Sequence, residues 1–395
     1  MKFQAILSNP SHPEYGVATI PLPLSREEYD HFMEMLSALG IGDAVRQDCK
    51  VEEIIHCYPV LKQLEGQSVN VDELDYLVKR LDSFCVAEDA QFQAMAAKLA
   101  LTDIKDFINL TFCCQQATVI TDFSDLEEVG RGHYLNVNGG CATTKELDDL
   151  DGERVARILI DSGAGVVTPY GVVYDNGMKL EPLYSGGAFP PYLYDAHSTI
   201  LEAYPLSAPD DRNKAISLCL PMTALQIERT LARSGIDSVA QVKFKHDSTF
   251  WDGENDLTIF EHESLKDLNE MYMTIADLDK NGLSKLDAVI SFAKPKSALQ
   301  VKHLAEILEL FDFIPKVKTS AEYGRYMIEE SGHFEYDPNL EDFYDFAGYA
   351  RQRMRQEQGQ FVEGGYVSYH GLQSLDEVMT GSPALDEGFQ IGGMQ

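Results

Sequence analysis

The sequence lacks the features of several protein classes. No run of eighteen apolar residues is present, so no membrane-spanning helix is predicted. The N-terminal stretch MKFQAILSNPSHPEYG has no apolar core of the kind that secretion signals need. The seven cysteines are an odd number and include no Cys-x-x-Cys pair, a pattern that favours reduced thiols over a disulfide framework or a structural zinc site. We therefore expect a cytoplasmic protein.

Motifs for cofactors and metals are also scarce. The sequence has no GxxxxGK[ST] phosphate loop, and Gly163-x-Gly165 is not followed by the third glycine of a dinucleotide loop. There is no HExxH, and His262, between two glutamates, is predicted to be a surface ion partner. The basic stretch KFKHD (243–247) is too small to bind nucleic acid. No cofactor, metal or direct nucleic-acid binding is predicted.

One segment raises an enzymatic alternative. ILIDSGAG (158–165) is similar to the active-site turn of aspartic peptidases, in which paired aspartates activate a water molecule. Asp161 would be the catalytic aspartate. Because no second such turn occurs, a peptidase would have to be a homodimer. The other interpretation is a strand that ends in a glycine turn, and it is the one we favour.

A second segment, DLDKNGLSKLDA (277–288), is similar to a calcium-binding loop. Asp277, Asp279, Asn281 and Gly282 stand where such a loop places three ligands and its turn. The twelfth position should be a bidentate glutamate, but it is Ala288. We therefore predict no calcium site and expect Gly282 to end a helix.

Positive charge is scarce as well. The chain has 32 Lys and Arg against 64 Asp and Glu, which gives a formal charge of −32. Residues 1–150 carry −14, residues 151–250 carry −3 and residues 251–395 carry −15. The densest stretch, AEYGRYMIEESGHFEYDPNLEDFYDF (321–346), combines eight carboxylates with seven aromatic residues. Disordered acidic tails contain few aromatics, so this pattern indicates a folded, strongly negative surface.

The sequence also repeats itself. IPLPLSREEYDHF (20–32) aligns with LCLPMTALQIERT (218–230), and each ends in a capping box that predicts a helix start. The boxes are Ser25-x-x-Glu28 and Thr223-x-x-Gln226.

Two further anchors follow in the same order. NVDELDYLVKRLDSF (70–84) and SLKDLNEMYMTIADL (264–278) share one apolar helical face, and EEVGR (127–131) aligns with AEYGR (321–325). Three ordered matches predict two copies of one module. The fold class expected is therefore α+β, an elongated chain of small mixed sheet and helix modules.

The composition divides the chain into seven predicted segments. They are a small α+β domain (1–66), a mainly helical acidic domain (67–150), a β-rich Gly/Pro/Tyr insert (151–214) with a turn at Asp175-Asn176-Gly177, a second small α+β domain (215–262), a helical domain (263–300), an acidic-aromatic domain (301–373) and a flexible tail (374–395).

The second half resembles a known family. LAEILELFDFIPKVKTSAEYGRYMIEESGHFEYDPNLEDFYDFAGYARQRMRQEQGQFVEGGYVSYHG (304–371) resembles the C-terminal part of ArdA-type antirestriction proteins. VDELDYLVKRLDSF (71–84) and DFINLTFCCQQATVITDFSDLEEVGR (106–131) are similar to the same family. The resemblance spans about two thirds of the chain. Compact members are much shorter than this chain, so a doubled module would be a departure.

The resemblance implies an inhibitor and not an enzyme. ArdA proteins are elongated, acidic dimers that mimic DNA and occupy the DNA-binding groove of type I restriction–modification enzymes, and conjugative transposons and other mobile elements use them as anti-defence proteins. Duplex DNA carries one charge per ~1.7 Å, so a charge of −32 matches at most about 54 Å, or about 16 base pairs. The partner implied is therefore a type I restriction–modification enzyme, without a cofactor or membrane, and a homodimer is left open.

On this resemblance, sixteen carboxylates stand for DNA phosphates. They are Asp122, Asp125, Glu127, Glu128, Glu146, Asp148, Asp149, Asp151, Glu322, Glu329, Glu330, Glu335, Asp337, Glu341, Asp342 and Asp345. Glu153 extends the first group. Arg325 is expected to pair locally with Glu322 or Glu329, and the aromatic residues are expected to hold the helix and turns that space the acids.

Two other functions stay open at this point. The chain could be a non-enzymatic acidic adaptor protein of a mobile element with unrelated partners. It could also be the aspartic-peptidase-like enzyme that uses Asp161, although this is the weaker alternative.

Overall fold

The computed structural model describes residues 3–56, 58–191, 199–249, 253, 255–257, 263–332 and 335–381. The predicted role of His262 lies outside these residues. The chain forms two compact units. The first comprises Met1–Asp195, Pro205–Ser217 and Thr223–Val242, and the second comprises Ala196–Tyr204, Leu218–Met222 and Lys243–Gln395. Within the described residues, no helix combines the length and apolarity needed to cross a bilayer.

The described strands are short and form four sheets. They are β1 Phe3–Ser8, β2 Val17–Leu22, β3 Cys49–Ile55, β4 Ser68–Val69, β5 Thr118–Ile120, β6 Val166–Thr168, β7 Gly171–Tyr174, β8 Thr199–Pro205, β9 Ile216–Leu220, β10 Val242–Thr249, β11 Phe311–Pro315, β12 Gln360–Val362 and β13 Gly365–Tyr369. The sheet orders are β2-β1-β3-β4, β10-β8-β9, β5-β7-β6 and β11-β13-β12.

The described helices connect and cover these sheets. They are α1 Arg26–Ala38, α2 Val71–Asp82, α3 Val86–Leu99, α4 Ile104–Leu110, α5 Leu126–Val137, α6 Thr144–Asp148, α7 Gly152–Asp161, α8 Ala224–Arg233, α9 Leu265–Ala276, α10 Lys280–Ala293, α11 Ala298–Glu306, α12 Ser320–Arg325, α13 Phe346–Glu357 and α14 Leu375–Met379. A π-helical turn, Tyr326–Glu330, continues α12. The predicted α+β class is thus confirmed.

The capping residues begin helices where the sequence predicts them. Ser25 accepts a hydrogen bond from the Glu28 amide at the start of α1, and Thr223 accepts one from the Gln226 amide at the start of α8. Such bonds satisfy amides that have no partner within the helix. Leu22–Pro23 and Leu220–Pro221, which precede these helices, are both cis peptide bonds.

The predicted apolar faces of α2 and α9 are buried. Both faces follow the i, i+3, i+4, i+7 spacing and are shielded from solvent in their own compact units. Their residues are Leu74, Leu77, Val78 and Leu81 in α2, and Leu268, Met271, Tyr272 and Ile275 in α9.

The predicted repeat is confirmed by the order of the elements. Residues 3–174, the first copy, run β1-β2-α1-β3-β4, then α2-α3-α4, then β5-α5-α6-α7-β6-β7, and β4 and α6 have no counterpart among the described elements of the second copy. Residues 199–369, the second copy, run β8-β9-α8-β10, then α9-α10-α11, then β11-α12-α13-β12-β13. The strand orders also agree. β1 lies between β2 and β3 as β8 lies between β9 and β10, and β7 and β13 are each the central strand of a three-stranded sheet.

We call the last group of elements in each copy, β5 to β7 in the first and β11 to β13 in the second, its third domain. Each third domain depends on a close helix crossing. A Cβ atom on Gly130 of α5 would overlap the carbonyl oxygen of Gly152 at the start of α7. In the second copy, a Cβ on Gly324 of α12 would overlap the carbonyl oxygen of Phe346 at the start of α13. Both glycines belong to the aligned EEVGR and AEYGR motifs, so the motif marks a helix contact that only glycine permits.

The segment predicted as a β-rich insert, 151–214, has a different structure. It contains helix α7, and β7 pairs with β5. These elements therefore complete the first copy instead of forming an insert, because β5 needs β7 as its partner in the sheet. A turn does occur at Asp175–Gly177, with Asn176 and Gly177 at positive φ, but residues 175–191 contain no helix or strand.

Three smaller expectations are corrected. The favoured strand in ILIDSGAG is helical, since α7 extends to Asp161. Gly282 does not end a helix but lies in the first turn of α10, where its amide binds the Asp279 side chain. Within the predicted tail, Ser374 caps helix α14, and residues 382–395 lie outside the described part. The other predicted domain boundaries stay predictions.

Candidate acidic interaction surface

The first group of predicted acids lies on the third domain of the first copy. The group occupies the loop before α5, the start of α5, helix α6 and the residue that caps α7. All eight side chains are exposed, namely Asp122, Asp125, Glu127, Glu128, Glu146, Asp148, Asp149 and Asp151.

Several of these acids are fixed by bonds to backbone amides. Asp125 accepts from the Glu128 amide at 2.9 Å, and Asp151 accepts from the Arg154 amide at 3.0 Å. Bonds to the Thr143 amide and hydroxyl lower the pKa of Glu146. Helix N-termini favour negative charge, so these carboxylates are held in place at favourable positions.

One acid of this group, Glu127, connects neighbouring helices. The Glu127 carboxylate on α5 accepts a hydrogen bond from the backbone amide of Glu153 on α7 at 3.0 Å. It also forms an ion pair with Arg131 at 3.0 Å. Glu127 therefore supports the α5–α7 crossing as well as contributing charge.

The second group lies on the third domain of the second copy. Its eight acids are Glu322, Glu329, Glu330, Glu335, Asp337, Glu341, Asp342 and Asp345, and all except the half-buried Glu329 are exposed. Asp345 caps α13 by accepting from the Gly348 amide at 2.7 Å. Asp337 accepts from the Asn339 amide at 2.9 Å and begins a short 3-10 helix.

Arg325 is held within the second group. Its guanidinium binds Glu329 at 2.8 Å and Glu341 at 2.6 Å, and it lies 4.7 Å from the ring centroid of Phe346. The bond to Glu341 is the leading cause that raises the pKa of Arg325. The predicted pair with Glu329 is confirmed, whereas Glu322 instead accepts from the amides of residues 318 and 319. Arg325 therefore fixes two acids relative to each other.

Aromatic residues support the second group from beneath. The Tyr323 ring stacks on Tyr366 with centroids 4.1 Å apart, and its hydroxyl donates to Glu357 at 2.6 Å. Tyr344 contacts the rings of Tyr336 and Phe346 at 5.6 and 5.7 Å. These ring contacts, one stacked and two tilted, restrain the chain between the acids, which agrees with the role expected of the aromatic residues.

The repeat identifies acids that occupy equivalent positions in both copies. The helix caps Asn70 and Ser264 are 194 residues apart, as are Asp125 and Thr319, the caps of α5 and α12. At this separation three predicted acids coincide with another acid, and all six are exposed. The pairs are Glu128 with Glu322, Asp148 with Asp342, and Asp151 with Asp345. These pairs were not among the sequence-based predictions, although the constant separation of 194 residues could have revealed them.

The described residues form no site for the peptidase or calcium-binding alternatives. Asp161 is the exposed last residue of α7 and is not part of a strand-and-turn structure. Asp279 caps α10, since its side chain accepts a hydrogen bond from the Gly282 amide. The segment that is similar to a calcium-binding loop therefore begins a helix. No described cluster of three His, Cys, Asp or Glu residues could hold a metal ion.

Comparison with known proteins agrees with the resemblance. Residues 216–368 match the family model described as antirestriction protein (ArdA). The match lies within the second copy, from β9 to β13. A search of curated proteins finds no match. The second copy is thus similar to ArdA antirestriction proteins, and the first copy has the same order of elements apart from β4 and α6.

Proposed function

We propose that this chain, an ArdA-type antirestriction protein by its second copy, inhibits restriction by mimicking B-form DNA. Its acidic surface would occupy the DNA-binding site of a type I restriction–modification enzyme and so protect incoming mobile DNA. The enzyme's lysines and arginines, which normally contact phosphates, would contact the carboxylates instead. Neither a cofactor nor a bond-breaking step is needed.

The observation that carries this proposal is the exposure of the predicted acids on matching domains. Fifteen of the sixteen side chains are exposed. They lie on the same third domain in each copy, in a chain whose formal charge is −32. A surface of this kind attracts a positively charged groove and repels nucleic acid.

The fixed geometry of the acids favours mimicry over an acidic surface that serves only to keep the protein in solution. Asp125, Asp151 and Asp345 are bonded to helix amides, and Arg325 joins Glu329 to Glu341. A carboxylate that is already fixed costs less entropy on binding than a mobile one. A rigid array also needs no bending of the kind that DNA requires when an enzyme deforms it.

A competition assay tests the proposal. The purified chain is titrated into a type I restriction–modification enzyme bound to labelled target DNA, at about 50 and 200 mM salt. We expect displacement of the DNA at low salt and much weaker displacement at high salt, because the competing contacts are ionic.

The control separates the acidic surface from the total charge. A variant with Glu27→Gln, Glu34→Gln and Glu53→Gln removes three exposed acids of α1 and β3, in the first sheet domain (β1 to β4) of the first copy. It should compete as well as the wild type. Failure of the folded wild-type chain to displace DNA from several such enzymes would overturn the proposal and favour an adaptor with other partners.

A further inference from the structure

Helix α8 carries two arginines that are buried in the first compact unit. Arg229 and Arg233 are 9% and 6% exposed, and α8 belongs to that unit together with the whole of α2. By the order of elements, however, α8 is the first helix of the second copy, equivalent to α1. A buried arginine is costly unless its charge is paired and its donors are satisfied.

Arg229 is satisfied by the start of α2. Its guanidinium binds the Asp72 carboxylate at 2.7 and 3.0 Å and donates to the Gly42 carbonyl at 2.6 Å. The Tyr29 hydroxyl also donates to Asp72, at 2.6 Å. Burial alone would lower the pKa of Arg229, but the charge of Asp72, together with Tyr29 and the hydrogen bonds to both residues, outweighs burial and raises that pKa.

Arg233 is held by a second set of partners. It donates to Asn70 at 2.8 Å and to the Ala44 carbonyl at 2.7 Å, and it contacts Glu73 at 3.5 Å. It also donates to the Tyr184 hydroxyl, and its guanidinium lies 4.3 Å from the ring centroid of Phe189.

The segment after β7 supplies further contacts around Arg233. The ring of Phe189 stacks between Tyr76 and Tyr184, with centroids 4.5 and 5.1 Å away. The Tyr184 hydroxyl donates to Glu73 at 2.8 Å, and Asn109 bonds the backbone of Tyr184 in both directions. Residues 175–191, although without helix or strand, are therefore anchored on the helical domain of the first copy.

Neither half of this arrangement is repeated at the equivalent positions. Relative to the capping residues Ser25 and Thr223, the α1 positions that match the two arginines are His31 and Met35. The α9 positions that match Asp72 and Glu73 are Lys266 and Asp267, and the Lys266 side chain is 81% exposed. The ionic contact is thus encoded once per chain.

We propose that α8 is a joint by which the second copy is locked onto the first. We call Asn70, Asp72 and Glu73 the socket. The two arginines, four residues apart on α8, bind into it. Because α1 lacks the two arginines and α9 lacks the matching acceptors, α8 and α2 are the helices that can make this contact. A further copy could not be joined to the chain in the same way. This joint is separate from the proposed inhibition, and its test does not depend on it.

Hydrogen exchange measured by mass spectrometry on the full chain tests the joint. One variant, Arg229→His with Arg233→Met, gives α8 the residues of α1. A second, Asp72→Asn with Glu73→Gln, neutralises the socket and leaves α8 untouched. In both we expect the amides of α8 to lose at least about tenfold in protection, since the loss of a buried ion partner is costly.

The matched control is Lys266→Gln with Asp267→Asn, which changes the equivalent α9 positions and should leave α8 protection as in the wild type. Peptides from α10 serve as an internal reference for the folding of the second unit. If α8 keeps wild-type protection in either joint variant, or if the control loosens it equally, the proposed joint is wrong.

Discussion

At the scale of single residues, two glycines determine how the third domains pack. Gly130 and Gly324 each face the backbone carbonyl of a neighbouring helix without room for a Cβ atom. Gly132, two residues further along α5, has no atom within 4 Å of the place where a Cβ would lie. The two kinds of helical glycine therefore have opposite expected responses to alanine.

We predict that Gly130→Ala destabilises the first unit by about 1–3 kcal/mol, because the added methyl forces α5 and α7 apart. Gly132→Ala should instead stabilise it by up to about 1 kcal/mol, since alanine is the better helix former. Urea denaturation followed by circular dichroism measures both. Equal effects of the two substitutions would contradict the close crossing.

His133 on α5 provides a pH-dependent contact. Its Nδ1 lies 2.9 Å from the Thr118 hydroxyl, and burial lowers its pKa below the usual 6.5. The unfolded chain therefore takes up the proton more readily than the folded one. The contribution of neutral His133 to stability is present above pH 6.5 and is lost as the pH falls through its lowered folded pKa.

We predict that His133→Met reduces this pH dependence. Met327 occupies the equivalent position of the second copy, where it is buried, so methionine is compatible with the fold. The difference in unfolding free energy between pH 7.5 and 5.0 should be smaller in the variant than in the wild type. An unchanged difference would assign the acid sensitivity to other groups.

At the scale of elements, helix caps combine a structural and an electrostatic role. Asp345 bonds the Gly348 amide at the start of α13, and Asp151 bonds the Arg154 amide at the start of α7. An exposed acid at a cap could be present for the helix alone. Asparagine separates the two roles because it caps a helix about as well as aspartate but has no charge.

For Asp345→Asn we predict nearly wild-type stability but weaker displacement of DNA from the restriction enzyme. Asp345→Ala should lose about 1 kcal/mol of stability as well. Denaturation and the competition assay, run on the same preparations, distinguish the two. If the asparagine variant competes like the wild type, Asp345 serves the helix and not the mimicry.

At the scale of the whole molecule, the charge is present on both copies. The equivalent acid pairs suggest that each third domain presents part of the surface, although the family match lies in the second copy. We therefore propose that the first copy takes part in binding, a role that the family match by itself does not assign to it.

We predict that neutralising either equivalent trio weakens competition by roughly tenfold. The trios are Glu128→Gln, Asp148→Asn and Asp151→Asn in the first copy, and Glu322→Gln, Asp342→Asn and Asp345→Asn in the second. The sheet-domain variant of Glu27, Glu34 and Glu53 carries the same change in net charge. Should all three variants weaken equally, total charge and not the third domains would govern binding.

Local interactions made much of the fold predictable from sequence. The helices at Ser25 and Thr223, the apolar face of α2 and its repeat in α9 depend on residues a few positions apart. The segment 151–174 was harder, because its place depends on β5 pairing with β7 more than fifty residues later. The glycine-rich composition alone could not indicate that partner.

The charge, the repeat, the helix starts and the ArdA resemblance can be recognised without coordinates, because each depends on composition or short spacing. Which acids are exposed and which serve the fold depends instead on long-range packing. Asp72 and Glu73, for example, are buried against the arginines of α8, while Asp148 and Glu128 face solvent. The physical reason is that the pairing of a carboxylate depends on residues brought to it from distant parts of the chain.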